Sequence, residues 1–291
     1  MGLKEKLDSG EFVILAEIDP PKGVDVSLMV ASAMQAKDSV DAFVVPQMSN
    51  GVMRMSALGG AVILRQNGME AVMQISCRDR NRLAIQGDLL AAHACGVTNL
   101  VAVNGPDPAS GDHHEAKSVD DIHLRELLDV TQTLQQGRDM AGFDLAGSPS
   151  FLVGSTVNAG AKDRALDQEL EEMAQKIEKG VRFLITPPVF DLTFIDPFLQ
   201  RVDRRKANVI PTVMLLKSVG MARYIDRHHG DVHVPDAVIN RIQHAQDRVA
   251  ECIRVAGEMI TTLKKEAFTG ALITTVGWED RLPDILRSMA E

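Results

Sequence analysis

Short runs of consecutive apolar residues alternate along the chain with longer segments in which apolar residues recur at helical spacing. Eight such runs cover residues 12–18, 41–46, 70–76, 99–105, 150–157, 182–187, 208–215 and 271–277. Nearly continuous apolar runs of this length are typical of strands that are buried on both faces, as in a parallel sheet. The pattern therefore predicts eight parallel strands.

The segments between these runs show the pattern of amphipathic helices. Residues 80–96 and 166–180 each end at a glycine, the residue that commonly follows a helix C-terminus. Residues 218–265 are too long for one helix, and the region of Gly230 and Pro235 predicts a break into two. Eight strand–helix repeats predict an α/β fold, a single (β/α)8 barrel over residues 1–291, with a doubly wound open sheet as the alternative.

Composition and charge narrow the class of protein. The 291 residues are 45% hydrophobic, which is enough for one large core, and the net charge is -9. Such a charge argues against a nucleic-acid or anionic-membrane surface, which needs a basic stripe. The N-terminal segment lacks the apolar region of a signal peptide, and no apolar run reaches transmembrane length. We expect a cytoplasmic protein that binds neither nucleic acid nor membranes.

The cysteines and histidines do not show the spacing of a metal site. Cys77, Cys95 and Cys252 are odd in number and form no CxxC pair. Cys95 lies in an apolar helical stretch, so we expect it in the core. Histidines cluster with aspartates at residues 112–114 and 226–233, but adjacent histidines rarely point at one metal. We predict no metal site.

Candidate chemistry is expected where the strands end, because such barrels place their active sites at the C-terminal ends of the strands. Glu17 ends the first predicted strand. A carboxylate in an apolar barrel mouth has a raised pKa and suits a general acid. The alternative is a strand-end carboxylate that backbone groups or solvent hold. Residues 78–81, just past the third strand, are interpreted as a helix cap with salt bridges, above all Asp79 and Arg80.

Polar and glycine residues also end the fourth and fifth strands. Asn104, Gly105 and Asp107 would face the barrel mouth, where Gly105 permits close approach by a ligand or serves a tight turn. Three residues at the end of the fifth strand are candidates to contact a planar cofactor or its phosphates: Gly154, Ser155 and Asn158. Lys176 follows on the next helix, where composition alone predicts a solvent-exposed charge.

Several longer segments together resemble the methylenetetrahydrofolate reductase family, particularly its short bacterial and acetogen-like branch. They run nearly from end to end in the right order, at residues 3–23, 54–103, 151–158, 178–191 and 215–242. The most specific motifs are CRDRN followed by DLLAAHACG, and LKS followed by AR and VPD.

This resemblance implies a barrel that holds a non-covalent flavin, FAD or FMN, and reduces 5,10-methylenetetrahydrofolate to 5-methyltetrahydrofolate in one-carbon metabolism. NAD(P)H or a reduced partner protein would supply the electrons, and a homo-oligomer is expected. Glu17 matches the family's general acid. Lys176 matches a lysine near the flavin phosphates and Glu169 its acidic neighbour, while Lys117 and Ser118 fall in the segment that wraps the flavin ribityl and phosphate region.

Four positions depart from the family's pattern. Pro46 stands in place of a threonine, and Gln74 in place of a histidine near the flavin. Pro106 replaces an aspartate that contacts the pterin, with Asp107 one residue later as a candidate substitute. Pro187 replaces a glutamine that holds the pterin, and a proline side chain neither donates nor accepts a hydrogen bond.

These departures keep two other functions open. One is a flavin-free enzyme that binds a folate or another pterin and acts on methyl groups. The other is a partner-dependent subunit of a larger redox complex. Phe190 keeps the end of the sixth-strand motif and either stacks on folate or packs in the core.

Overall fold

A computed structural model describes residues 1–204 and 207–289. Eight parallel strands close on themselves in chain order, so that the last strand pairs with the first. They are β1 (Val13–Glu17), β2 (Ala42–Val45), β3 (Ala71–Ser76), β4 (Asn99–Val103), β5 (Leu152–Thr156), β6 (Val181–Pro188), β7 (Asn208–Met214) and β8 (Gly270–Thr274). The closed barrel confirms the (β/α)8 prediction and rules out the doubly wound open sheet.

Helices precede, connect and follow the strands. They are α1 (Leu3–Ser9), α2 (Ser27–Ala36), α3 (Ala57–Gln66), α4 (Arg82–Ala94), α5 (Leu124–Gln135), α6 (Asp163–Glu178), α7 (Asp196–Leu199), α8 (Val219–His228), α9 (Asp236–His244), α10 (Arg248–Lys265) and α11 (Leu282–Ser288). Short 3-10 turns occupy Pro108–Ser110, Leu192–Ile195 and Glu279–Arg281. Within the described ranges, we find no helix with the length and apolarity that crossing a membrane requires.

The region of residues 218–265 contains three helices rather than the two expected. The predicted break separates α8 from α9. A second break follows α9, where Ala245 leaves the helical conformation with ψ 140°. Asp247 then caps α10, because its side chain accepts hydrogen bonds from the backbone N–H groups of Val249 and Ala250. No glycine or proline marks this second break, so the sequence pattern did not reveal it.

Apolar side chains fill the inside of the barrel. Residues that alternate along the strands, such as Val13 and Leu15 of β1, form one buried cluster, and α1 adds Leu3 and Leu7 from the N-terminal end. A larger cluster lies between the strands and the surrounding helices. Because the interior is packed, polar chemistry is concentrated at the C-terminal rim, where the strands end.

Cys95 is exposed, so the expectation that it belongs to the core is wrong. The buried face of α4 includes Ile85, Leu89 and Ala92. The helix ends at Ala94, and Cys95 is its C-cap residue at the point where the chain turns away. An apolar sequence context did not predict burial here because the residue lies beyond the packed face of the helix.

Candidate active site

Glu17 lies at the end of β1, two residues beyond the interior-facing Leu15 and on the same face of the strand. Thr274 at the end of β8 donates a hydrogen bond from Oγ1 to Glu17 Oε1 over 2.8 Å. Burial of the carboxyl raises the pKa of Glu17 to about 7, while the Thr274 hydrogen bond opposes that rise. Such a carboxyl is partly protonated at neutral pH, as a general acid requires.

Other charged groups lie near Glu17 on the β1–β8 side of the rim. Burial raises the pKa of Asp19, although Arg54, whose Nη2 lies 3.3 Å from Asp19 Oδ2, opposes the rise. Burial also raises the pKa of Glu279, against the attraction of Lys217. The carboxylates of Asp19 and Glu279 repel negative charge and add to the raised pKa of Glu17. The local charge thus favours the protonated form of Glu17.

Two adjoining cavities open on another part of the rim. The inner cavity, of about 520 Å³, lies among the ends of β2–β6 and includes Gln47, Gln74 and Asn158. The outer cavity, of about 620 Å³, extends between α5 and α6 and includes Arg125 and Lys179. Residues that line both are Asn104, Gly105, Pro106, Leu124, Glu172 and Lys176. The two cavities together form an elongated cleft, and each cavity has the size of a small-molecule site. Glu17 does not line either cavity.

Backbone N–H groups orient three of the side-chain amides that line the cleft. The Oε1 atom of Gln74 accepts from Gln47 N over 2.8 Å. The Oδ1 atom of Asn104 accepts from Leu124 N over 3.2 Å. Since a backbone N–H only donates, it must face the amide oxygen, and each NH2 group remains available to a ligand.

Asn158 shows the same arrangement, with Oδ1 accepting from the backbone N–H of Gly160 over 3.1 Å. The three amides of Gln74, Asn104 and Asn158 therefore offer hydrogen-bond donors to the cleft. A ligand rich in acceptor atoms is complementary to such a lining.

Arg78 joins the loops that follow β2, β3 and β4. It is 2% exposed, and its guanidinium forms a bidentate pair with Asp79, with contacts of 2.5 and 2.9 Å. It also donates to the carbonyl oxygens of Met48 and Pro106 over 3.3 and 3.2 Å. Burial disfavours the charged form of Asp79, yet the hydrogen bonds from Arg78 and Gln47 lower its pKa overall. This network holds one wall of the cleft in place.

The interpretation of residues 78–81 as a cap with salt bridges is confirmed. Asn81 caps α4 by accepting a hydrogen bond from Ala84 N over 3.0 Å. Arg80 pairs with Asp88 over 2.9 Å. The sequence interpretation did not include the second role of this segment, in which Arg78 forms part of the cleft wall.

Lys176 extends from α6 into the cleft rather than into solvent. Its side chain is 11% exposed, so the solvated surface charge that composition predicts is wrong. Its Nζ atom donates to the carbonyl oxygen of Thr156 over 2.9 Å and lies 3.6 Å from Glu169 Oε1. A cation fixed in a cleft of this kind suits an anionic group such as a phosphate.

The structure brings most, but not all, of the predicted site residues to the cleft. Those that line at least one cavity are Gln74, Asn104, Gly105, Asp107, Ser118, Asn158, Glu169, Lys176 and Pro187. Lys117 is exposed outside both cavities, and Phe190 is 8% exposed within the outer core. Ser155 is buried and donates to Ala102 O over 2.9 Å. The binding roles predicted for these residues remain predictions.

Gly154 also lies outside the two cavities. A Cβ atom at this position would lie 2.3 Å from Cζ of Phe183, whose ring is fully buried inside the barrel. The glycine thus makes room for an aromatic ring of the protein itself.

One histidine of each cluster pairs with an aspartate. His113 Nδ1 lies 2.8 Å from Asp112 Oδ1, and His233 Nδ1 lies 2.9 Å from Asp226 Oδ1. Within residues 1–204 and 207–289, no group of three or more His, Cys, Asp or Glu side chains is arranged to hold a metal ion.

A statistical model of the methylenetetrahydrofolate reductase family matches residues 2–290 of this chain. The chain belongs to the methylenetetrahydrofolate reductase family. Methylenetetrahydrofolate reductase 2 of Schizosaccharomyces pombe is 25% identical over 182 residues, which are 60% of this chain. The match spans 28% of the length of that relative.

Two solved structures share the barrel fold of this family member. A 2,3-dimethylmalate lyase superposes with a TM-score of 0.54 at 8% identity, covering 99% of this chain and 83% of the lyase. The EDTA monooxygenase EmoA from Chelativorans sp. BNC1 superposes with a TM-score of 0.51 at 12% identity, covering 96% and 94% of the two chains. At these identities the similarity shows the fold alone.

The reductase-family motifs identified Glu17 but not the residue that contacts it. Thr274 lies 257 positions away in the sequence. Only the closure of the barrel brings β8 beside β1. A signal was present, because eight predicted strands imply that the last lies next to the first, and ALITT ends the last strand with two hydroxyl side chains. Gln47 was also missed, since its role depends on contacts with Gln74 and Asp79.

Proposed function

We propose that this chain binds a flavin in the elongated cleft and reduces 5,10-methylenetetrahydrofolate to 5-methyltetrahydrofolate, with Glu17 as the general acid. Membership of the reductase family supports the reaction class. The observation that carries the assignment is the Glu17 carboxyl at the end of β1, whose pKa burial raises to about 7. A carboxylic acid that keeps its proton near neutral pH is suited to protonate a leaving amine.

The donor groups of the cleft fit a flavin. The inner cavity presents amide NH2 groups to a ring system whose heteroatoms are mainly acceptors, and Gln74 and Asn158 are our candidates for these contacts. The outer cavity contains Lys179 and Arg125 and shares Lys176 with the inner one, which suits phosphate groups. A bound flavin supplies the hydride that reduces the one-carbon unit.

The role of Glu17 follows from its position and protonation. Its carboxyl gives a proton to the ring nitrogen that separates from the one-carbon unit when the imidazolidine ring opens. Thr274 then donates its hydrogen bond to the carboxylate that remains. NAD(P)H or a reduced partner protein is proposed as the electron source. The cytoplasmic location and homo-oligomeric state expected from the sequence remain predictions.

A second candidate function rests on the prolines at the rim. Pro187 lines the inner cavity and Pro106 lines both cavities, and neither side chain has a polar atom to contact a flavin bound there. This favours a divergent enzyme that binds a folate or another pterin without a flavin, or a subunit that becomes active beside a redox partner.

Visible absorption of the purified protein, before and after addition of FAD or FMN and desalting, separates these functions. We expect a retained flavin band. The Lys176→Met variant should weaken flavin binding about tenfold or more, since a charge-assisted hydrogen bond contributes about 1.5 to 3 kcal/mol. Lys264→Met, at an exposed site on α10, is the matched control and should bind as wild type does. A protein that stays colourless yet binds a reduced folate would support the flavin-free function instead.

A further inference from the structure

Thr274 contacts Glu17 because the closed barrel places β8 beside β1. The two strands pair in parallel, with Ala16 opposite Ile273, one residue before the contact. The hydrogen bond runs from Thr274 Oγ1 to Glu17 Oε1 over 2.8 Å, and Thr274 is 6% exposed. A buried hydroxyl therefore holds one of the two oxygen atoms of the carboxyl.

The backbone around Thr274 is fixed on its other side. Leu215 N, at the end of β7, donates to the carbonyl oxygen of Thr274 over 2.9 Å. Two residues further on, Val276 adopts a φ of 53°, which is unusual for a β-branched residue, and Lys217 Nζ donates to its carbonyl oxygen. The hydroxyl is thus presented from a strand end held by its neighbours, so its direction is set before any ligand binds.

We infer that Thr274 is a positioning residue for Glu17, which holds Oε1 by a hydrogen bond and leaves Oε2 as the atom that carries and transfers the proton. An oxygen that accepts a hydrogen bond is stabilised when it bears no proton, so the neutral carboxyl places its hydrogen on the other oxygen. This inference deepens the proposed function and rests on it, because it concerns the same acid.

The charged groups near Glu17 come from four loops. Asp19 follows β1, Arg54 follows β2, Lys217 follows β7 and Glu279 follows β8. All of them remain when Thr274 is replaced. A change in the titration of Glu17 in a Thr274 variant is therefore attributable to the loss of the hydroxyl.

The hydroxyl donates more strongly to a carboxylate than to a neutral carboxyl, so it lowers the pKa of Glu17 against the effect of burial. Its removal should raise the pKa by about one to two units, the equivalent of one hydrogen bond to a charged group. The step that needs protonated Glu17 would then persist to higher pH. It would also become slower at low pH, because the carboxyl is no longer held in one orientation.

The test compares Thr274→Val, Thr274→Ala and Thr274→Ser with Thr275→Val in the flavin-loaded enzyme. The Thr275 hydroxyl is buried and has no hydrogen-bond partner among the described residues, so its removal is the same chemical change one position along the chain. Difference infrared spectroscopy follows the Glu17 carboxyl, with Glu17→Gln to assign the band. Single-turnover folate reduction by the pre-reduced enzyme is measured over the same pH range.

The midpoint is the pH at which the infrared band shows half of the Glu17 carboxyl to be protonated. We expect Thr274→Val and Thr274→Ala to raise this midpoint, and Thr274→Ser and Thr275→Val to keep the wild-type value. Thr274→Ala is included so that the hydroxyl deletion can still be measured if Thr274→Val folds poorly. An unchanged midpoint in both hydroxyl-deletion variants, or an equal shift in Thr275→Val, overturns the inference. The midpoint could also shift while the pH profile of folate reduction stays unchanged. That result would support the contact between Thr274 and Glu17 but contradict the role of Glu17 as the acid.

Discussion

The two parts of the barrel rim hold their polar groups in different ways. On the β8–β1 side, the Glu17 carboxyl accepts one hydrogen bond from a hydroxyl. Burial, together with the nearby carboxylates of Asp19 and Glu279, raises its pKa to about 7. On the β2–β5 side, the buried guanidinium of Arg78 and a chain of amides fix three loops, and the pKa of Asp79 is lowered. The β8–β1 side thus disfavours the charged form of Glu17, whereas the β2–β5 side favours the charged form of Asp79.

The proposed function assigns a different task to each side of the rim. Proton transfer needs a group whose two protonation states are close in free energy, which burial with few partners provides. Ligand binding needs fixed donors and acceptors, which a saturated network provides. The departures from the family pattern at Pro46 and Pro106 fall on the β2–β5 side, and Pro187 lies on the adjoining β6. Backbone groups and fixed amides remain there as contacts.

The largest expected effect comes from breaking the Arg78 network. Arg78→Leu removes a buried guanidinium and the bidentate pair that it forms with Asp79, which should lower the free energy of unfolding by about 3 kcal/mol. Arg82→Leu removes a solvent-exposed pair with Asp121 and should lower the free energy of unfolding far less. Urea unfolding of the three proteins without ligand measures both values. Equal losses would show that the buried Arg78 network stabilises the fold no more than an exposed ion pair does.

Replacement of Glu17 should stabilise the protein as the pH rises, in contrast to the loss expected for Arg78. Glu17 has a folded-state pKa of about 7 against an ordinary 4.5, so its contribution to stability is present below pH 4.5 and is lost as the pH rises through 7. The stability of Glu17→Gln relative to wild type should therefore increase by as much as about 3 kcal/mol between acidic and mildly alkaline pH. Thermal or urea unfolding across this range tests it. A difference independent of pH would contradict the raised pKa.

A smaller effect is expected for Gln74, one of the amides that line the inner cavity. Gln74→Glu keeps an oxygen to accept from Gln47 N but presents a second oxygen, rather than NH2, to the inner cavity. Flavin affinity should fall roughly tenfold, the loss of one good hydrogen bond. Gln246→Glu adds the same charge at an exposed position and is the control. Fluorescence titration with FAD measures both, and unchanged affinity in Gln74→Glu would exclude the donor role.

The smallest effect concerns Asp107. It is exposed, lines the outer cavity and accepts from Ala109 N over 2.9 Å. As a substitute for the missing pterin contact, it should contribute about 1 kcal/mol, so Asp107→Ala weakens folate binding several-fold. Asp107→Asn keeps the oxygen that caps the turn and isolates the effect of charge. Calorimetric titration with a reduced folate decides, since equal affinity in the Ala variant and wild type would refute the contact.

The sequence predicted the barrel well because its signals are local. Each strand is an apolar run that is buried on both faces, and the helix ends at Asn81 and Gly180 follow ordinary capping chemistry. The second break in residues 218–265 was missed because Asp247 begins a new helix without a glycine or proline before it.

The candidate site was harder to predict because it depends on contacts between distant segments. Family motifs pointed to Glu17 and Lys176, but composition alone suggested a solvated Lys176. Thr274 acts across the closure of the barrel, and Gly154 accommodates a ring from the neighbouring strand. The Thr274 contact could be inferred only by combining barrel closure with the hydroxyl side chains that end the last strand, and no spacing of residues predicts the contact between Gly154 and Phe183.

The most direct test of the account separates the two half-reactions in Glu17→Gln. Reduction of the bound flavin by its electron donor should proceed at the wild-type rate, because no proton from Glu17 is needed there. Reduction of 5,10-methylenetetrahydrofolate by the pre-reduced protein should fall by about a hundredfold or more, the usual contribution of a general acid. Equal loss in both half-reactions, or an unchanged rate of folate reduction, would contradict the assignment of Glu17 as the acid.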